Sequence, residues 1–284
     1  MYIRRGNAHL TKKVGVLFQS KIEAAGDLAQ QMAKVVGALD VDVWTCSAWD
    51  EDRAREQVEG TDIVICLGGD GTILRASRVA SPLSIPILGV NLGRIGFMTE
   101  LNDADALSRV PDFIKGKGWV EERAMLQSEL EASDKPAFYA LNDVVIGRGA
   151  MCRLIRIKAA VYGELLTTYK CDGLILATAT GSTAYALAAG GPILHPHSGE
   201  ILMKPIAAHL SFGTALVLPA DATVELEVNT THQAMLSIDG QVEVPLSDGD
   251  IIRVKRSPHV TRLLRAQRPM FFYGTLMRKL EKRE

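Results

Sequence analysis

The sequence predicts an α/β protein in two parts: an N-terminal doubly wound domain on a parallel sheet, then a C-terminal β-rich domain. Three observations carry this expectation. Short apolar runs alternate with segments of helical spacing over about the first hundred residues. Near residue 120 that alternation gives way to many short runs of β-formers separated by turn signals. The most apolar early run, Ile63-Val64-Ile65-Cys66-Leu67, empties into Gly68-Gly69-Asp70-Gly71-Thr72, a loop with almost no side-chain bulk and one acid.

Taken in order, residues 14–18 form a short strand, and 22–39 carry apolar residues at helical spacing with alanine between them. Residues 41–44 are strand again, 50–58 a polar helix, and 63–67 a strand apolar enough to be covered on both faces. A helix beginning near Thr72 runs to about Val79 and is closed by Pro82 and Pro86. A fourth strand, 87–91, leads into Leu92-Gly93-Arg94-Ile95-Gly96-Phe97. A helical linker at 104–115 marks the boundary, which divides the chain into 1–106 and 107–263, with 264–284 returning to the first domain. In the second domain the predicted strands are 127–131, 138–146, 155–161, 164–169, 174–177, 215–218, 223–228, 235–238 and 251–255. Asp239-Gly240 joins two β-runs as a hairpin turn.

At 284 residues the chain can bury a real core in one large domain or two ordinary ones. Its 47% apolar and 23% charged content is that of a soluble globular protein. A net charge of −1 supplies no global field for nucleic acid or an anionic membrane, so any polyanion must be met by local groups. No apolar run approaches the roughly 20 residues of a spanning helix, and the basic start lacks the apolar stretch of a signal peptide. The four cysteines are scattered, without a C-x-x-C pair; Cys66 and Cys171 read as buried thiols, and a cytoplasmic protein is expected.

Several segments offer chemistry. An open α/β sheet places ligands at the carboxyl ends of its strands, where Asp70 falls; the plainer reading has Asp70 capping the next helix. Asn142 and Asp143 head an apolar strand, and burying both unpaired costs about 1–3 kcal/mol each. An amide beside a carboxylate suits a ribose diol or a purine edge, although a β-turn would also explain the pair. The run Thr178-Ala179-Thr180-Gly181-Ser182-Thr183 precedes a helix at 184–189, with Ser182 or Thr183 as its N-cap. Small side chains there would admit an anionic ligand to the helix start, or simply let the helix pack closely. Phe97 could wall a pocket for a base, or be core. Arg75, Arg153 and Lys170 are cations available to anions, and Gln241 lacks a purely structural role in its turn. His195-Pro196-His197 invites a metal reading, but two histidines flanking a proline in a loop usually mean nothing, and no metal site is assigned.

Together these segments resemble the NAD kinase family in its bacterial form. The likeness lies in Gly68-Gly69-Asp70-Gly71-Thr72, in residues 88–97, in Leu141-Asn142-Asp143-Val144-Val145, in Asp172-Gly173-Leu174-Ile175 with Thr180-Gly181-Ser182-Thr183-Ala184-Tyr185, and in Asp239-Gly240-Gln241. The glycine loop alone is shared with diacylglycerol and sphingosine kinases; the Thr-Gly-Ser-Thr-Ala-Tyr segment is far more specific. The resemblance implies ATP-dependent phosphorylation of NAD at the 2′-hydroxyl of its adenosine ribose, with NAD bound between domains and between subunits of a homodimer or homotetramer. It implies Asp70 as general base, and Gly68, Gly69, Gly71 and Thr72 as the ATP phosphate loop. NAD would be met by Asp70, Gly71, Arg75, Asn142, Asp143, Arg153, Lys170 and Asp172, then by Thr183, Ala184, Tyr185, Ala186, Leu187, Ala188 and Gln241, with Phe97 as a pocket wall. Mg²⁺ is expected to arrive with ATP, and neither nucleic acid nor membrane is an expected partner. Three departures stand out: Asp143 replaces a usual Glu, Ala179 a usual proline, and residues 207–214 lack a usual arginine. The competing readings are a lipid kinase, for which no amphipathic or basic surface is evident, and a non-catalytic NAD(P) sensor, which would lack the acid at position 70.

Overall fold

The computed structural model describes residues 2–4, 11–93, 96–131, 133–149, 154–209, 212–266 and 272–281. It divides into two compact units, 1–122 with 260–284 and 123–259. The first boundary thus falls at 122/123 and not at the expected 106/107, and the return begins at 260 instead of 264. The first shift has a packing reason. Ala106, Val110, Phe113 and Ile114 of the supposed linker are buried in the first unit's core.

In the first unit the elements run β1 (Tyr2–Arg4), β2 (Lys13–Phe18), α1 (Glu23–Gly37), β3 (Asp42–Ser47), α2 (Glu51–Val58), β4 (Ile63–Leu67), α3 (Asp70–Ala80), β5 (Ile87–Asn91), β6 (Leu101–Asn102) and α4 (Asp103–Ile114). Strands β3, β2, β4 and β5 lie side by side and parallel, with Gly15 opposite both Trp44 and Val64 and Val64 opposite Ile87. Every residue of β4 and β5 is buried, as an all-parallel sheet covered on both faces requires. Alternate residues Val14, Val16, Ile63, Ile65, Leu88 and Val90 form one face and pack with Leu28 and Met32 of α1 and Val110 and Phe113 of α4.

The chain leaves this unit within β7 (Trp119–Leu130) and re-enters it within β18 (Ile251–Arg265). Both strands run longer than the short apolar runs predicted, because Glu121, Glu122, Arg262 and Arg265 interrupt the hydrophobic pattern. In the structure these charges pair: Arg265 Nε with Glu121 at 2.7 Å and Arg262 Nε with Glu122 at 3.2 Å. Past residue 260, β18 adds a parallel neighbour to β5, Leu263 opposite Ile87.

The second unit adds β8 (Phe138–Ala140), β9 (Asp143–Arg148), β10 (Ile155–Val161), β11 (Glu164–Cys171), β12 (Gly173–Ala177), α5 (Tyr185–Ala188), β13 (Ile201–Ile206), β14 (Leu216–Leu218), β15 (Val224–Asn229), β16 (Ala234–Ile238) and β17 (Val242–Leu246); α6 (Phe272–Glu281) ends the first unit. One antiparallel sheet has the order β14-β13-β12-β9-β16-β17. A second joins β11, β10, β15 and the first part of β18. Their facing residues, among them Ile157, Tyr169, Leu174, Leu176, Met203, Leu226, Leu236 and Ile252, make a single core. Strand β13 is not predicted from sequence: Lys204 and Pro205 break its run of β-formers, yet Pro205 takes a register place opposite Leu174. The predicted strand 138–146 is two strands, because the chain turns at Leu141-Asn142. Cys66 and Cys171 are fully buried free thiols, and burial raises the Cys171 pKa to about 11. Among the described residues no helix is long and apolar enough to cross a membrane.

Candidate active site

In the first unit the candidate site begins where β4 ends. Gly68 takes φ +154°, and a Cβ there would stand 2.2 Å from Thr72 Oγ1, so only glycine lets Thr72 fold back against the loop. Added Cβ atoms at Gly69 and Gly71 would meet nothing within 4 Å, so no side-chain bulk crowds this part of the loop. Helix α3 starts at Asp70 itself, with Gly69 as an N-cap that has no side chain to offer. The Asp70 carboxylate has other work than the capping role. Its Oδ2 accepts the Phe97 N–H at 2.8 Å and its Oδ1 the Met98 N–H at 3.0 Å. Gly96 makes this possible, since a Cβ there would lie 2.0 Å from Asp70 Oδ1. Two backbone donors therefore fix the orientation of the acid. Phe97 enters the site through its amide, a contribution that a reading of its ring as a pocket wall does not foresee.

In the second unit three strand ends converge. In the sheet register Asp143 stands opposite Ala177, and Val144 opposite Ile238. The start of β9, the end of β12 and the end of β16 thus share one edge. Thr178 binds the incoming turn twice, its Oγ1 donating to Leu141 O at 2.6 Å and its N–H to Asn142 O at 2.9 Å. Gly181 is packed so tightly that a Cβ would lie 2.1 Å from Asn142 O. The turn is held chiefly by Asp239, whose carboxylate accepts the N–H groups of Leu141, Asn142 and Asp143 at 2.9, 2.7 and 3.0 Å. Asp239 is buried and left-handed, with φ 52°. Burial, reinforced by the neighbouring Asp239 charge, raises the Asp143 pKa to about 7.

The segment after β12 corrects an expectation. It forms a 3-10 turn, Gly181–Thr183, then the four-residue helix α5, and neither Ser182 nor Thr183 caps it. Ser182 Oγ donates to Ala179 O and accepts the Leu194 N–H, while Thr183 Oγ1 donates to Thr180 O. So short a helix offers no dipole site for an anion.

A family model described as the ATP-NAD kinase N-terminal domain matches residues 8–117, and one described as the ATP-NAD kinase C-terminal domain matches residues 141–266. The NAD kinase of Dehalococcoides mccartyi (strain CBDB1) is 42% identical over 273 residues, spanning 95% of this chain and 96% of its own length. That of Chloroflexus aurantiacus (strain ATCC 29366 / DSM 635 / J-10-fl) is 37% identical over 275 residues, 96% of this chain and 100% of its own. The chain belongs to the NAD kinase family. Two solved structures share the fold at 24% identity each: a yeast NADH kinase complexed with NADH, at a TM-score of 0.78, and an NAD kinase from Archaeoglobus fulgidus in complex with ATP, at 0.75. The first likeness covers 97% of this chain and 92% of the yeast chain, the second 95% and 98%.

The remaining residues that the NAD kinase resemblance implies are not gathered equally. Asn142, Asp143 and the 178–183 turn meet at one edge of the sheet. Asp172 precedes the opposite end of β12, about 17 Å from Ala177 at the usual strand rise, and pairs with Arg148 at 3.2 Å. Lys170 lies beyond it on β11, opposite Arg156. Arg75 stacks on Trp49, its guanidinium carbon 4.4 Å from the ring centroid. Gln241 closes the hairpin, its N–H donating to Ile238 O. Tyr185 is exposed and Ala186 buried, with Ala184 and Leu187 between these extremes and Ala188 exposed. Arg153, with Arg94, Ile95 and Cys152, lies outside the described residues. The sequence explains Asp239 by its hairpin turn alone; its hold on the 141–143 backbone is visible there only as an acid in the family motif.

Proposed function

We infer that the chain moves the terminal phosphoryl group of ATP to the 2′-hydroxyl of NAD's adenosine ribose, giving NADP and ADP, with Asp70 as the general base. The single observation that carries the assignment of the base is the Asp70 carboxylate, held by two amides where the glycine loop opens helix α3, with no atom within 4 Å of a Cβ added at Gly69 or Gly71. A ribose hydroxyl is a poor nucleophile at neutral pH. As its oxygen bonds to the γ-phosphorus, its proton passes to the Asp70 carboxylate and the bond from that phosphorus to ADP breaks. Gly68, Gly69, Gly71 and Thr72 form the phosphate loop, while Asn142 and Asp143 hold NAD with Asp172, Lys170, Arg153, Arg75, Gln241 and residues 183–188. Because phosphoryl transfer depends on positioning, the fixed carboxylate is the feature that matters most.

Among the described residues no three His, Cys, Asp or Glu side chains gather as a metal cage. A divalent cation, Mg²⁺, is assigned to the ATP it accompanies. The likeness to the NAD kinase family supports a homodimer or homotetramer in which NAD is shared between subunits. The same reading places the enzyme in the cytoplasm with its nucleotide substrates.

The test is direct. Incubation with ATP, Mg²⁺ and NAD should yield NADP, read by an NADP-specific dehydrogenase. Asp70→Asn should lose about 100-fold or more in kcat while NAD binding is largely kept. A variant turning over at the parent rate would sink the assignment of the base.

A further inference from the structure

We propose that Arg265 is a positioning residue for the reaction, acting through the 97–99 backbone that orients Asp70. Its guanidinium is buried against this segment. Nη1 donates to Met98 O at 2.9 Å and Thr99 O at 3.3 Å, and Nη2 donates to Phe97 O at 3.4 Å. Nε donates to Glu121 Oε2 at 2.7 Å, and Nη1 also reaches Glu100 Oε2 at 3.4 Å. Side-chain exposures of 9% for Arg265, 9% for Glu121 and 6% for Glu100 put the whole triad out of water.

The connection to Asp70 runs through a single planar group. The peptide between Phe97 and Met98 presents its C=O to Arg265 and its N–H to Asp70 Oδ1. A trans peptide holds these two groups pointing in opposite directions, so fixing one fixes the other. Each hydrogen bond also polarises the other. The next peptide is pinned by the 2.9 Å bond to Met98 O.

Arg265 is the counter-ion of two buried carboxylates, but stability alone does not call for such a triad. A buried ion pair or triad replaced by apolar side chains of similar volume often gains stability. What the guanidinium adds is a rigid fork of five donors that reaches carboxylates on one side and successive carbonyls on the other. A lysine supplies the charge but only one donor centre, and cannot span that set.

The inference rests on Asp70 being the base, and a double-mutant cycle separates the two claims. The full-length parent, Asp70→Asn, Arg265→Lys and the double variant are compared for kcat and for KM of NAD and ATP. Thermal melting and circular dichroism check the fold. Arg265→Lys should lower kcat about tenfold, as for a small misplacement of a reacting group, and leave both KM values within about twofold. On the Asp70→Asn background it should cost nothing further, since no base remains to be positioned. An equal loss on both backgrounds, or no loss in the parent, overturns the role of Arg265 while leaving Asp70 in place. A normal rate for Asp70→Asn alone overturns both. Should Arg265→Lys fail to fold, Glu121→Gln, which keeps an acceptor oxygen for Nε, is put through the same cycle with the same criteria.

Discussion

Three aspartates in this chain behave differently because of what surrounds each carboxylate. Asp70 meets two amides from a loop 27 and 28 residues further on. Asp239 meets three amides and serves as the anchor of the turn that carries Asn142 and Asp143. Asp143 is buried close to that anchor, and its pKa rises to about 7, desolvation being the larger cause and the Asp239 charge the lesser. The sign of the resulting pH dependence follows. Between about pH 4, where an unfolded Asp titrates, and pH 7, the native chain keeps a proton that the unfolded chain has released. Stability from this group is therefore complete below pH 4 and is lost as pH rises through 7. Asp143→Asn removes the titration, so its melting temperature should gain on the parent's between pH 5 and pH 8. A constant difference across that range would contradict the shifted group.

Among the elements, those with local periodicity are legible in the sequence. Strands β2, β4 and β5 and helices α1 and α3 follow from apolar spacing and from the glycine loop between β4 and α3. Strands β7, β13 and β18 are harder to read, for a reason common to all three: charged or proline residues interrupt each, and only a neighbouring strand accounts for them. The 181–188 segment has the hydroxyl residues of a capped helix but spends them on other backbone groups, Ser182 on Ala179 and Leu194 and Thr183 on Thr180. Its packing against the head of β9 depends on one missing side chain. Gly181→Ala places a methyl group 2.1 Å from Asn142 O. Overpacking of this kind costs about 1–3 kcal/mol, which urea unfolding would register. Since the displaced group is the Asn142 backbone, KM for NAD should rise with KM for ATP little changed. Equal effects on both substrates would separate Asn142 from NAD binding.

At the scale of the molecule, the last stretch of β18 completes the first unit. Leu263 pairs beside Ile87, Leu264 joins the core of Val14, Ile63 and Phe113, and Arg265 reaches the 97–99 loop 166 to 168 residues before it. A chain ending at His259 should therefore fail to fold its first unit, seen as loss of its parallel-sheet amide protection in hydrogen exchange, with the 123–259 core better retained. Protection of β4 and β5 at parental levels would show that the return is dispensable. Alternation of strand and helix, the later run of β-formers and the motif set determined the α/β class, the family and the expected chemistry, because each rests on residues close together in the chain. Tertiary structure alone decided which amides hold Asp70, that Asp239 carries the 141–143 turn, and that Arg265 stands behind the 97–99 loop. Those bonds join residues tens to hundreds of positions apart, and their geometry exists only once the sheets have packed.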